Sequence, residues 1–341
     1  MVWSWFRGLL APADLGRCEK YSSFVDASSD RDRCSERTAT FYEMVTSFYR
    51  WGWGESFHFA HRWVGETFAE SIKRYEYALA AELALRPGET VLDAGCGVGG
   101  PLCNIAHHTG ARITGITVSP HQADEGNRRI AALLGPDSGC ELRVVDFNQP
   151  LPFNDCSFDA AYTIESMCHA KDLAATLGEL RRVLKPGGRL VLNEWALHRD
   201  RGPLGPADEE AARRLERGNS LEPLREPAAI RAAAERAGLR VLAAEDLGRE
   251  APPRHEPWYA PLAGGGTALQ RLRISPLGRW VTHWATWCLE ALRLAPRGTH
   301  RTAVTLAEGA DGLVQLGRRG LFTPHYRVSA RRPPEPGAER E

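Results

Sequence analysis

The sequence predicts an α/β fold: a mostly parallel sheet, preceded by an aromatic helical segment and interrupted near its end by an inserted cap. Three features point to it. Short β-rich runs alternate with helical stretches from Thr90 onward. A glycine cluster follows the first of these strands and opens a helix. Residues 250–320 abandon the alternation before a last strand-like run at 321–331. Strands alternating with helices build right-handed βαβ crossovers, and such sheets bind ligands at the carboxyl ends of their strands.

The elements follow in order. Residues 1–40 form a variable N-terminal segment. Its start, Met1 to Leu10, is apolar but short and has no clear cleavage site, so no signal peptide is expected. A loose terminus is favoured there over a segment lying in a membrane interface. Residues 11–40 are polar and read as loop or loose helix. Nine of the 23 residues from Phe41 to Trp63 are aromatic in a chain that is 9% aromatic, so this block has a purpose of its own. Gly52 and Gly54 interrupt it and argue against a long regular helix. Residues 67–86 read as helix, with Phe68, Ile72, Tyr75, Leu79 and Leu83 on one face. Strands are expected at Thr90–Asp93, Arg112–Ile116, Leu142–Val145, Phe158–Ile164 and Arg189–Trp195. Helices fill the gaps up to Thr109, at 120–134 and at 172–184, the last stopped by Lys185-Pro186-Gly187-Gly188. A helix at 226–237 and a strand at Leu239–Ala243 extend the core, which spans 41–249 together with the aromatic segment. The cap at 250–320 holds Pro252-Pro253, Gly264-Gly265-Gly266 and a helix from Leu277 to Leu294. Residues 321–331 read as a closing edge strand, and 332–341 as a tail.

Composition narrows the function. Basic and acidic residues number 43 each, which argues against a nucleic-acid binder working through one broad basic face. The eight cysteines form no Cys-x-x-Cys pair and the histidines show no ligand spacing, so no metal is assigned. Free thiols suit a reducing, cytoplasmic compartment rather than a secreted protein.

Asp93-Ala94-Gly95-Cys96-Gly97-Val98-Gly99-Gly100 lets the backbone turn tightly beside a ligand. It lacks the Gly-Lys-Ser/Thr of a Walker loop. The string fits Gly-x-Gly-x-x-Gly, yet an acid directly before the glycines would repel a pyrophosphate and attract a cationic amine. The second strand tip carries no acid for a ribose diol. Asp146, at the end of the third strand, offers an acceptor for an adenine amino group, and Phe147 offers a stacking face.

LDAGCGVGGP (92–101) resembles the first motif of class I S-adenosylmethionine methyltransferases, which have a Rossmann-like sheet. FYRWGWGESFHFA (48–60), GETFAESIKRYEY (65–77), IESMCHA (164–170), LKPGGRL (184–190) and NEW (193–195) are similar to the sterol C-methyltransferase family. LRLAPRGTHR (292–301) and GLVQLGRRGLFTP (312–324) extend the resemblance to residues 40–331. It implies S-adenosyl-L-methionine as cofactor, with Asp93, Gly95, Gly97 and Gly99 around its methionine end. Thr117, Ser119 and Gln122 would lie near the ribose, and Asp146 and Phe147 at the adenine. The second-strand tip, TVSPHQ, departs from the family's Asn-containing pattern and looks more like the tocopherol and cyclopropane-synthase branches.

The implied reaction is methyl transfer to carbon 24 of a side-chain-unsaturated sterol through a carbocation, giving a 24-methylene sterol and S-adenosylhomocysteine. A related lipid C-methyltransferase, acting at sterol carbon 4 or on a prenylated phenol such as tocopherol, is an alternative. So is a non-catalytic sterol-binding protein, although a carrier needs neither the Asp93 loop nor Glu165. Aromatic faces stabilise a cation by roughly 0.5–2 kcal/mol each. Tyr49, Trp51, Trp53, Phe57 and Phe59 are the residue types for that and for an apolar pocket. Trp51 stands where the family has a Tyr. Glu165 and His169, ending the fourth strand, are candidates to steady the cation and take its proton; Glu66 is a second base or a salt-bridge partner. Trp280, Trp284 and Trp287 share a helix face within 254–301, a stretch with seven Arg against two acids. That pattern suits a membrane surface (the endoplasmic reticulum in a eukaryote) or the roof of the pocket. Homo-oligomerisation stays open.

Overall fold

The computed structural model describes residues 34–200, 202–248, 255–263, 276–295 and 297–334. The expectations for Met1–Leu10, most of 11–40, Pro252-Pro253 and Gly264–Gly266 lie outside the described residues. Along the chain come α1 (Cys34–Trp53), β1 (Arg62–Trp63), α2 (Phe68–Glu82), β2 (Thr90–Ala94), α3 (Gly100–Thr109), β3 (Arg112–Thr117) and α4 (Pro120–Leu133). There follow β4 (Glu141–Val144), β5 (Phe158–Ile164), a short 3-10 turn (Met167–His169), α5 (Leu173–Val183), β6 (Leu184–Leu197), α6 (Pro206–Gly218) and α7 (Pro227–Arg236). β7 (Arg240–Asp246), β8 (His255–Glu256), α8 (Pro276–Ala291), α9 (Thr299–Arg318) and β9 (Phe322–Arg331) complete it.

The chain forms two compact units. The larger takes Trp53–His198, Arg225–Glu256 and Thr323–Glu341. Its seven-stranded sheet has the order β4-β3-β2-β5-β6-β9-β7. β2 pairs in parallel with both β3 and β5, so the chain reverses its direction of travel across the sheet at β2. That is the switch point where the crevice of such a sheet opens. Alternate residues of β2 serve opposite faces: Leu92 joins Leu177, Leu180 and Ile230, while Val91 joins Leu79, Leu102 and Ile130. Thr67 and Glu70 cap the start of α2 reciprocally. Ser119 caps α4 and Asp172 caps α5.

The smaller unit takes Met1–Gly52, Arg199–Leu224 and Pro257–Phe322. Phe41, Met44 and Val45 of α1 are buried in it with Leu306 against them. α6 and α9 approach through glycine: a Cβ on Gly218 would stand 2.5 Å from the Cα of Gly309. One on Gly312 would stand 2.5 Å from the carbonyl of Ala211. Arg37 and Glu222 form a buried ion pair at 2.7 Å.

Four expectations need correction. The segment before Gly54 is a regular 20-residue helix starting at Cys34, so Gly52 does not break it. Gly52 is the last residue but one of that helix, where a glycine costs less than the roughly 1 kcal/mol of an interior site. Gly54, at φ +96°, is where left-handed backbone begins. The closing strand is not an edge: β9 lies between β6 and β7 and pairs antiparallel with β7, which is itself the edge. Seven successive buried residues in β9 agree with that interior place. Lys185–Gly188 belongs to β6, with Gly187 and Gly188 bonded to Arg332. The cap region holds a second long helix, α9.

Candidate active site

β2 ends by delivering Asp93, and the glycine loop turns away at once. Gly95, Gly97 and Gly99 have φ of +96°, +54° and +75°. A Cβ on Gly95 would stand 2.3 Å from Cβ of Ser166, so only glycine lets this loop pass the β5 tip. The amides of Gly95 and Cys96 both donate to the carbonyl of Ile116 at 3.0 Å, tying the loop to β3. Asp93 is buried, and among the described residues its hydrogen-bond donor is the Tyr162 hydroxyl at 2.9 Å. Burial pushes its carboxyl up to about 7, against the pull of Tyr162. A buried carboxylate so sparsely partnered fits a cationic amine, which would favour its ionised form.

At the β3 tip, Thr117, Ser119 and Gln122 are buried and interlocked. Thr117 Oγ1 donates to Gln122 Oε1 at 2.7 Å, and Ser119 Oγ accepts the amide of Gln122 at 3.3 Å. Asp146 accepts the amide of Asn148 at 2.9 Å. The Phe147 ring lies beside the glycine loop, 3.6 Å from where a Gly95 Cβ would be. Phe57 flanks the same loop, 3.8 Å from the corresponding point on Gly97. The expected cofactor residues thus gather from three strand tips around one loop.

Glu165 directly follows β5 at φ +54°, a strained conformation for a residue with a side chain. Its amide bonds the carbonyl of Asn193 at 2.7 Å. Both carboxylate oxygens are acceptors: Oε1 from the Phe59 amide and Oε2 from Trp195 Nε1, each at 2.7 Å. Burial raises its carboxyl to about 8, moderated by the neighbouring His58 and those two donors. Phe59 is buried with its ring 6.1 Å from that of Trp195, so the carboxylate has aromatic neighbours. Glu194 is also buried; it accepts from the Thr163 hydroxyl and, at 3.0 Å, from the Met167 amide, anchoring the turn after Glu165. Burial pushes its carboxyl up to about 7.

His169 is buried at the end of that turn, with its carbonyl accepting from Asn148 Nδ2 at 3.3 Å. Glu66 is engaged elsewhere. It pairs with Arg74 at 2.8 Å and accepts the Trp63 amide at 2.9 Å, and Arg74 holds its carboxyl below the usual range. The side chains of Tyr49, Trp51 and Trp53 lie outside the described part of the structure.

Sequence reasoning missed the buried polar group behind this site. Glu76 is fully buried and accepts from Ser56 Oγ at 2.6 Å and Asn104 Nδ2 at 2.7 Å. His58 Nε2 lies 3.2 Å from it, and His58 Nδ1 is 2.9 Å from the Phe59 carbonyl. Burial opposes charge on His58, but Glu76 outweighs it, with Glu165 adding, so its pKa is raised. The signal was available: Glu76 falls between Ile72 and Leu79 on the apolar face of α2, where an acid is out of place. Among the described residues no group of three or more His, Cys, Asp or Glu could hold a metal ion.

Comparison with known proteins places this geometry in context. Residues 92–192 match the family described as Methyltransferase domain, and residues 269–334 the one described as Sterol methyltransferase C-terminal. The chain is 38% identical to cycloartenol-C-24-methyltransferase of Arabidopsis thaliana over 317 residues, covering 92% of this chain and 93% of that protein. It is 36% identical to a sterol 24-C-methyltransferase of Eremothecium gossypii, covering 91% and 84%. Among solved structures it resembles geranyl diphosphate C-methyltransferase from Streptomyces coelicolor A3(2), with a TM-score of 0.62, 21% identity and coverage of 88% and 98%. It also resembles the cyclopropane synthase MmaA2 from Mycobacterium tuberculosis, with a TM-score of 0.64, 17% identity and coverage of 85% and 95%. At those identities the structures speak to fold alone.

Proposed function

The chain belongs to the sterol C-methyltransferase family and is an S-adenosylmethionine-dependent methyltransferase, and on that premise we propose that it methylates carbon 24 of a side-chain-unsaturated sterol. The product is a 24-methylene sterol, formed through a carbocation. The single observation that carries this reading is Glu165: a buried carboxylate at the β5 tip, clamped between the Phe59 amide and the Trp195 indole.

Asp93 and the glycine loop would hold the cofactor's methionine end, and Asp146 and Phe147 its adenine. When bound, the cofactor supplies an electrophilic methyl group. The chain supplies the surroundings. Phe57, Phe59 and Trp195 present ring faces that favour a cation on the sterol side chain and exclude water. Glu165, once ionised, stabilises that cation after a hydride shift relocates it, and accepts the proton whose loss forms the 24-methylene group. The two N–H donors fix its oxygens before reaction, so no reorganisation is needed as charge develops. His58, held 3.2 Å from Glu76, supplies nearby positive charge that favours the ionised form of Glu165.

The test is incubation with labelled S-adenosylmethionine and a panel of sterols with and without a side-chain double bond, with products identified by mass spectrometry. Label is expected in Δ24 sterols at the side chain. Label at ring carbon 4, or in prenylated phenols only, would overturn the assignment.

A further inference from the structure

Helix α8 carries its faces in the reverse of the usual order. The side chains that tie it to its own unit are polar. Arg279 bonds Asp311 of α9 at 2.5 Å, and Thr286 Oγ1 lies 3.0 Å from His300 Nδ1. Glu290 accepts the amides of Gly298 and His300 at 3.0 and 2.9 Å, closing the start of α9. The apolar stripe faces outward: Leu277, Trp280, Val281, Trp284 and Trp287 are 45–62% exposed. Leu292 and Leu294 prolong it and are exposed too. A soluble helix buries its apolar stripe, so a contiguous exposed one marks an interaction surface.

The charges beside the stripe identify the occupant. From Pro276 to Arg301 the chain has four Arg and one acid, Glu290, which is turned onto α9. Arg293 and Arg297 follow the helix and are exposed. Tryptophan with arginine, and no free acid, complements an anionic headgroup layer. The 16 residues of α8 rise about 24 Å, and no helix among the described residues is long and apolar enough to cross a membrane.

We propose that α8 is a membrane-docking element: it lies in the plane of an anionic bilayer surface, with the Trp280-Trp284-Trp287 stripe among the upper acyl chains and Arg293 and Arg297 at the phosphates. Binding itself is independent of the proposed reaction; only the activity arm below rests on it.

The experiment compares the full chain with the Trp280→Ser/Trp284→Ser/Trp287→Ser variant. Circular dichroism and thermal melting verify that both are folded, as expected for exposed positions. Each is sedimented with vesicles of phosphatidylcholine alone or with phosphatidylserine, at low and high salt. The parent should pellet with the phosphatidylserine vesicles at low salt and be partly released at high salt, and the variant should bind at least about 10-fold more weakly. Methylation of sterol delivered on cyclodextrin should be equal in the two proteins, while the variant lags with sterol embedded in vesicles. A parent that stays in the supernatant with every vesicle, or a variant that binds as well as the parent, overturns the proposal. So does a parent dimer that the substitutions convert to monomer without vesicle binding, because the stripe then covers a second copy. If neither protein methylates sterol from either source, the reaction assignment falls and the sedimentation result still decides the docking.

Discussion

Glu165→Gln is nearly isosteric, yet the geometry predicts two separate losses from it. Both oxygens of Glu165 accept an N–H, from Phe59 and from Trp195. A carboxamide offers one oxygen and one NH2, so whichever way it turns, its NH2 confronts one of those donors. A buried donor left without an acceptor costs about 1–3 kcal/mol, and the variant should be less stable by that amount in denaturant unfolding. The shape is kept but the hydrogen bonding is not. The second loss is chemical. Without the charge facing the developing cation, the single-turnover rate should fall roughly 10²-fold or more, about 2.7 kcal/mol at the transition state. Sterol Kd should change little, because the ground-state alkene is neutral. Trp195→Phe separates the two effects: it removes one clashing donor, so the stability losses of the double variant should be less than additive by about 1 kcal/mol. Its rate should stay low. An unaltered stability for Glu165→Gln would refute the two-donor geometry. A near-normal rate would clear Glu165 of a catalytic role and move the search to His58 and His169.

Further outcomes follow from the same site. Asp93→Ala should weaken cofactor binding by about 2–4 kcal/mol in calorimetry, since it removes a buried carboxylate beside the glycine loop; equal affinity would sink that assignment. Burial holds Asp93, Glu165 and Glu194 protonated up to about 7, 8 and 7, above their values in the unfolded chain. Their contribution to stability is full at acid pH and is lost as pH rises through 7–8. His61, which burial lowers to about 4, acts oppositely, and its gain is complete above the ordinary histidine value of about 6.5. The melting temperature without cofactor should therefore fall between about pH 6.5 and 8.5, and a rise there would contradict the buried carboxyls. Cationic cofactor favours their ionised forms, so its binding should release protons, measurable as a dependence of the calorimetric heat on buffer ionisation enthalpy. Gly95→Ala should abolish cofactor binding by pushing on Ser166 from a left-handed backbone. Gly178→Ala in α5, where a Cβ meets nothing within 4 Å, should instead stabilise by about 0.5–1 kcal/mol in thermal melts.

The core strands and most helices could be read from the sequence because their signals are local. Thr67 with Glu70, Gly99 before α3 and Gly110 after it, and the apolar run Val91-Leu92 in β2 act within a few residues. The glycine loop was legible for the same reason: three left-handed turns in succession admit little besides glycine. Its acid-first pattern already separated a cationic ligand from a pyrophosphate. What failed were choices made by distant partners. α1 runs for 20 residues because Phe41, Met44 and Val45 are buried along it, and Gly52 stands only in its last turn. β9 became an interior strand because β6 and β7 flank it, and nothing in residues 321–331 names its neighbours.

The candidate site divides along the same line. Sequence alone supplied the residue types: Asp93 before the glycines, Glu165 after β5, Asp146 and Phe147 after β4. Only the fold decided what surrounds them. It clamped Glu165 between an amide 106 residues away and an indole 30 residues away, and it set the His58–Glu76 pair behind them. It engaged Glu66 with Arg74. It also turned the Trp280 stripe outward by giving the polar face of α8 its partners on α9. Backbone turns obey local sterics, which a sequence states directly; the ionisation of a carboxylate depends on burial and on neighbours, which exist only once the chain has closed around it.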